Sequence, residues 1–168
     1  MRRRDLLLAA AAAPWTAIAL AGDALTKVVH VVDGDTIHTF DGRDRRTVRI
    51  AGIDAPELAQ PFGQEARTAL ATLCLQRDAL LRPHKTDPYG RLVAVVSIGD
   101  ADVGLAQVRA GLAWHFKRYA KEQARLDRAL YADAETEARK LQVGLWSQPA
   151  PVAPWDFRAR ARPVSQVP

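Results

Sequence analysis

Three short groups of charged residues could do chemistry in this 168-residue chain. The first is Asp33-Gly34-Asp35-Thr36. In an extended segment, residues i and i+2 face the same way, so the two carboxylates can converge. Paired hard oxygens suit Ca²⁺ or Mg²⁺. The second group runs from Arg49 through Ile53 to Asp54, Ala55, Pro56 and Glu57. An arginine in a strand is followed by two acids at the strand's end and in a loop. A charge facing into a small barrel is costly unless paired. The third is Asp87-Pro88-Tyr89-Gly90-Arg91. A loop arginine beside glycine can offer its two-pronged fork to a phosphate. A neighbouring tyrosine offers a flat face to a base or sugar. Each group also has a plain explanation: an Asp-Gly turn, an Arg49–Asp54 ion pair with a solvated Glu57, and a hairpin turn.

The elements that must position these groups can be read from periodicity and turn residues. Thr26 to Val32 is rich in β-branched residues and reads as a strand, interrupted by Asp33-Gly34. Thr36 to Phe40 is a second strand and Asp41-Gly42 its turn. Arg46 to Ile53 is a third, with Val48 and Ile50 on one face and Arg49 on the other. Pro56 keeps Ala55 out of helical geometry, so the acids at 54 and 57 sit in a loop. Ala79 to Arg82 and Leu92 to Ile98 complete five strands. Gln64 to Gln76, Val103 to Ala110 and Lys121 to Leu141 read as helices. On the last, Leu126, Ala129, Leu130, Ala134, Ala138 and Leu141 share one side. Cys74 falls on the apolar side of the first helix, as a buried small hydrophobe. The expected fold is α+β: a five-stranded, partly open barrel of the OB type with three α-helices.

In combination and order these groups resemble the staphylococcal nuclease (thermonuclease) family. The resemblance runs from about Val28 to Trp146. It includes Val32 through Thr36, Arg49 through Glu57, Tyr89-Gly90-Arg91, Ala110-Gly111-Leu112-Ala113 and Gly144-Leu145-Trp146. Each piece is weak alone, and five in this order are specific. The resemblance implies one Ca²⁺ and hydrolysis of DNA, RNA or both. It implies Asp35 and Asp54 as carboxylate metal ligands and Ala55 as a backbone-carbonyl ligand, where the family's reference enzyme has threonine. Asp33 matches an acid close behind the metal. Glu57 matches the acid that orients or deprotonates the attacking water. Arg49 and Arg91 match the two phosphate-binding arginines, and Tyr89 a tyrosine lining the nucleotide pocket. Tyr119 matches a second nucleotide-contacting tyrosine, whereas Lys117 stands where the family has a third. Trp114, His115 and Phe116 also differ, and the loop after Glu57 is shorter.

Composition narrows the class. With 48% apolar and 26% charged residues, the chain falls among soluble globular proteins able to bury a core. One cysteine excludes an intramolecular disulfide. The histidines (His30, His38, His84, His115) are not spaced as zinc ligands, and His115 is expected at the surface. Residues 1–21 read as a bacterial secretory signal: Arg2-Arg3-Arg4, an apolar run, then Ala19-Leu20-Ala21 as the cleavage site. Arg3-Arg4-Asp5-Leu6-Leu7 resembles a twin-arginine signal, with leucine in place of the preferred phenylalanine. The run is too short and too broken by Pro14 and Thr16 for a membrane span. Export to the periplasm or medium as a monomer follows as the expectation. Residues 22–147 form the expected nuclease domain. Residues 148–168, with five prolines and alternating arginines, are expected to be a mostly disordered basic tail. The signal and the tail each hold +2 of the net +5, so the domain is nearly neutral and its charge alone does not argue for a nucleic-acid partner. The competing function is a barrel that binds nucleic acid or protein without cutting it. The presence of both arginines and all four acids favours catalysis.

Overall fold

Five strands carry the site, and their order explains how distant residues meet. In the computed structural model, which describes residues 22–161, these are β1 (Ala24–Val31), β2 (Thr36–Phe40), β3 (Arg45–Ile50), β5 (Asp78–Thr86) and β6 (Leu92–Ile98). Two-residue strands β4 (Ile53–Asp54), β7 (Ala101–Asp102) and β8 (Trp114–His115) complete the set. Neighbours run β3-β2-β1-β5-β6-β7, and a parallel β3–β6 pairing closes the barrel, with Arg49 opposite Val93. The interior holds Val28, Val31, Ile37, Val48, Ile50, Leu81, Ala94 and Val96. These are the inward positions of alternating strands. The secretory signal expected over 1–21 lies outside the described residues, as do residues 162–168 of the tail. Among the described residues, no helix is long and apolar enough to cross a membrane.

The expected third strand is cut in two. Gly52, at φ +78, reverses the chain after β3, a conformation open to glycine at little cost. Beyond it β4 leaves the barrel sheet and pairs with β8, Ile53 opposite His115 and Asp54 opposite Trp114. The expected fourth strand is longer than its hydrophobic segment, because Pro83 is accommodated beside a register shift.

Among the described residues the α-helices are α1 (Gly63–Cys74), α2 (Val103–Arg109), α3 (Arg125–Lys140) and α4 (Pro154–Ala161), the last in addition to the three expected. Cys74 is fully buried on α1, and burial pushes its thiol up to about 11. Asp102 caps α2 by accepting from the Leu105 amide at 3.1 Å, and it also accepts the Tyr131 hydroxyl of α3. The expected apolar side of α3 is partly wrong. Leu126, Leu130 and Leu141 are exposed, and the helix buries Tyr131, Ala134, Glu135 and Ala138. Glu135 lies inside because its carboxylate is met by the His115 amide, Lys117 and Arg139.

The stretch expected to be a disordered tail contains α4. Pro154 occupies its first turn, where a missing N–H is harmless. Ala153 and Pro154 are buried, and Trp155 stacks on Phe116 with ring centroids 5.4 Å apart at 18°. Apolar burial anchors a segment whose composition alone suggests a solvated chain.

Candidate active site

Arg49 is the hub of the site. It leaves β3 on the face opposite Val48 and Ile50, with its side chain 13% exposed. Its Nη2 donates to Asp54 Oδ1 at 2.8 Å and lies 3.0 Å from Asp35 Oδ2. One guanidinium nitrogen therefore draws two nearly buried carboxylates together. Its Nη1 donates to the Ile50 and Ile53 carbonyls at 3.1 and 3.0 Å, which locks the fork's orientation.

The acids are positioned by backbone rather than by an extended pair. Residues 33–35 form a bend, in which the Asp35 amide donates to Asp33 Oδ1 at 3.0 Å. The expected convergence of the two carboxylates from one strand face is thus replaced by a turn that sets both into one cleft. Gly34 allows the turn, since a Cβ there would lie 2.6 Å from Ala55 Cβ and 2.7 Å from Ala66 Cβ. Buried Gln107 of α2 pins it, donating to the Gly34 carbonyl at 2.9 Å and the Ala66 carbonyl at 2.8 Å. Asp35 Oδ2 accepts the Ala55 amide at 2.7 Å and Oδ1 the Thr36 hydroxyl at 3.0 Å. Burial pushes the Asp35 carboxyl up to about 7; Arg49 opposes the rise, and Asp33 and Asp54 add to it. Asp54 is held through β4, which β8 and Glu135 fix in turn. Glu57 lies in a loop closed by Gln60, whose side chain accepts the Glu57 amide at 2.9 Å.

Asp33, Asp35, Arg49, Asp54, Glu57, Tyr89, Arg91 and Tyr119 all face one cleft of about 940 Å³. Arg91 lies in it without touching the acid cluster. Its Nε and Nη2 each lie 2.8 Å from Asp87 Oδ2. Burial raises the Asp87 carboxyl, but the Arg91 amide and guanidinium outweigh this and hold it below the usual carboxylate range. Tyr89 is 80% exposed at the rim, with the Arg91 guanidinium over its ring. Lys117 is not in this cleft. Its amine pairs with Glu135, and it lines a smaller hollow among Trp114, Phe116 and Trp155. His115 is buried rather than at the surface, with Nε2 2.8 Å from Gln123 Oε1.

Sequence reasoning missed Arg158. From α4 its Nη2 reaches Asp54 Oδ2 at 2.8 Å, and its Nη1 reaches Glu57 Oε1 at 2.6 Å and Asp54 Oδ1 at 3.2 Å. The contacts raise its pKa, the hydrogen bond to Asp54 most. Helical spacing could have revealed it, because Trp155 and Arg158 are i and i+3 and share a face. The alternating arginines draw attention to a tail instead.

Among the described residues, no three His, Cys, Asp or Glu side chains are arranged to hold a metal ion. The available donors are two carboxylates, Asp35 and Asp54, and the Ala55 carbonyl. The chemistry of the set nevertheless fits a hard divalent cation. Four acids (Asp33, Asp35, Asp54, Glu57) share the cleft end with two contacting guanidinia, Arg49 and Arg158. The acids outnumber the guanidinia that contact them, and every available donor is oxygen, as a hard divalent cation prefers.

Comparison with known proteins points to one family. The family described as "Staphylococcal nuclease homologue" matches residues 47–148. "Protein ParB" of Escherichia coli is 35% identical over 94% of each chain. "Micrococcal nuclease" of Shigella flexneri is 34% identical over 81% of each. "Staphylococcal-like nuclease CAN1" of Arabidopsis thaliana is 32% identical over 83% of this chain and 42% of its own. The family match ends before α4 begins.

Proposed function

Because the chain belongs to the staphylococcal nuclease family, we propose that it hydrolyses phosphodiester bonds of DNA, RNA or both by water attack on phosphorus, with Ca²⁺ as its cofactor. The observation that carries the reading is the Arg49 bridge between Asp35 and Asp54 at the wall of an open cleft. A bare structural ion pair needs one carboxylate; here an arginine is held by four acceptors beside two further acids.

A phosphodiester is an anion, and attack on it adds negative charge to the oxygens around phosphorus. Arg49 is pre-oriented and pays no reorganisation when that charge appears. Arg91 stands across the cleft on a loop, where it can exchange Asp87 for a substrate phosphate. Glu57 has more access to solvent than Asp35 or Asp54 and is placed to hold a water and accept its proton. Ca²⁺ held by Asp35, Asp54 and the Ala55 carbonyl would supply positive charge to a phosphate oxygen. Tyr89 and Tyr119 offer ring faces to bases. The leader-like sequence of residues 1–21 supports action outside the cytoplasm.

A nuclease assay of the purified protein on single-stranded DNA tests this. Hydrolysis is expected with Ca²⁺, to stop on adding a chelator and to return with excess Ca²⁺. Hydrolysis that continues under chelation would remove the cofactor assignment, and no hydrolysis in any divalent cation would leave a binding barrel.

A further inference from the structure

Both acids that the proposed reaction needs accessible are engaged by one residue from outside the matched family region. Arg158 covers both oxygens of Asp54, one of which also serves Arg49, and it pairs with Glu57. A guanidinium thus lies within the cleft, against both acids. The helix that delivers it is docked by further contacts that do not involve the carboxylates. Trp155 stacks on Phe116 and meets the edge of Trp114 at 5.5 Å, and the Val152 carbonyl accepts from Gln60 at 3.1 Å.

We propose that α4 is a latch: Arg158 covers Asp54, one of the cation's two carboxylate ligands, together with the neighbouring Glu57, until a divalent cation displaces it. The inference rests on the reading that this cluster takes a divalent cation. The parts suit displacement. The Arg158 and Glu57 side chains are 43% and 36% exposed, and ion pairs so open to water are weak. Asp54 is the opposite case, at 1% exposure, so it demands a cation at all times. A divalent ion meets that demand with twice the charge. The released guanidinium would remain at the cleft mouth, tethered by α4, where an anionic substrate passes.

Calcium affinity of the full chain, measured by isothermal titration calorimetry, tests the latch without relying on activity. Two variants separate a latch from a charge effect. Arg158→Gln removes the competing cation. Trp155→Ala keeps every charge and loosens only the docking of α4. Both are expected to tighten Ca²⁺ binding, Arg158→Gln by about tenfold (about 1.4 kcal/mol) and Trp155→Ala by a smaller factor. Tightening in Arg158→Gln alone would mean simple charge repulsion and overturn the latch. Unchanged or weaker binding in both variants, with the wild type binding, would overturn the latch and leave the metal reading intact. No binding by wild type or variants would overturn both.

Discussion

Replacing Arg49 with alanine is expected to lower phosphodiester hydrolysis by about 10²–10³ and to lower stability by about 3–5 kcal/mol. The two losses have different origins. The rate falls because one pre-oriented donor to the reacting phosphate is gone. The stability falls because Asp35 and Asp54 stay buried after their shared partner leaves. Asp35 can escape part of the cost by taking up a proton, since burial already pushes its carboxyl up to about 7. Asp54 retains Arg158. Arg49→Lys separates the effects: one charge remains but the fork cannot reach four acceptors at once. That variant should recover much of the stability and little of the rate. Denaturant unfolding and turnover, measured on the same preparations, check both. Near-native rates in Arg49→Ala would reduce the cluster to a structural network.

Replacing Glu57 with glutamine should lower hydrolysis by about 10²–10⁴ with stability changed by no more than about 1 kcal/mol. Glutamine keeps the shape of the side chain and loses its ability to accept a proton from water. The small stability change follows from exposure, because the pair with Arg158 is open to solvent on both sides. The contrast with Arg49 is informative: one residue serves both fold and reaction, the other the reaction alone. A rate for Glu57→Gln close to that of the wild type would move the role of base to another group.

Much of this site could be read in the sequence because its residues are tied to local backbone signals. Asp35 follows an Asp-Gly turn, Arg49 alternates with Val48 and Ile50, and Pro56 marks the loop that holds Glu57, although Asp54, expected in that loop, ends β4. These signals act within a few residues. What was missed depends on contacts between segments far apart. Lys117 matches a nucleotide-contacting position in the sequence, yet buried Glu135 on α3 draws its amine out of the main cleft. Leucines at helical spacing suggest the wrong face of α3, because the face turned inward carries Tyr131, two alanines and a neutralised glutamate. Arg158 was hidden by composition, since proline and arginine suggest a solvated tail until Trp155 finds Phe116. The barrel was legible through its alternation, whereas the detachment of β4 from β3 turns on the positive φ of Gly52.

The relay from α3 through Glu135 to β8, and from β8 to β4, gives this protein two thresholds of failure. Asp54 lies outside the barrel sheet: Arg49 ties it to β3, and its two-residue pairing with β8 is supported by α3 through a narrow stripe of buried side chains. A helix packed through so few side chains opens at a lower free energy than a closed barrel. Partial detachment of α3 would release the β8 side of Asp54 while leaving the barrel's hydrogen-bonded strands intact. Inactivation should therefore precede unfolding: on mild heating or in low denaturant, turnover disappears while the strand signal in circular dichroism persists, and cooling restores it without refolding the barrel.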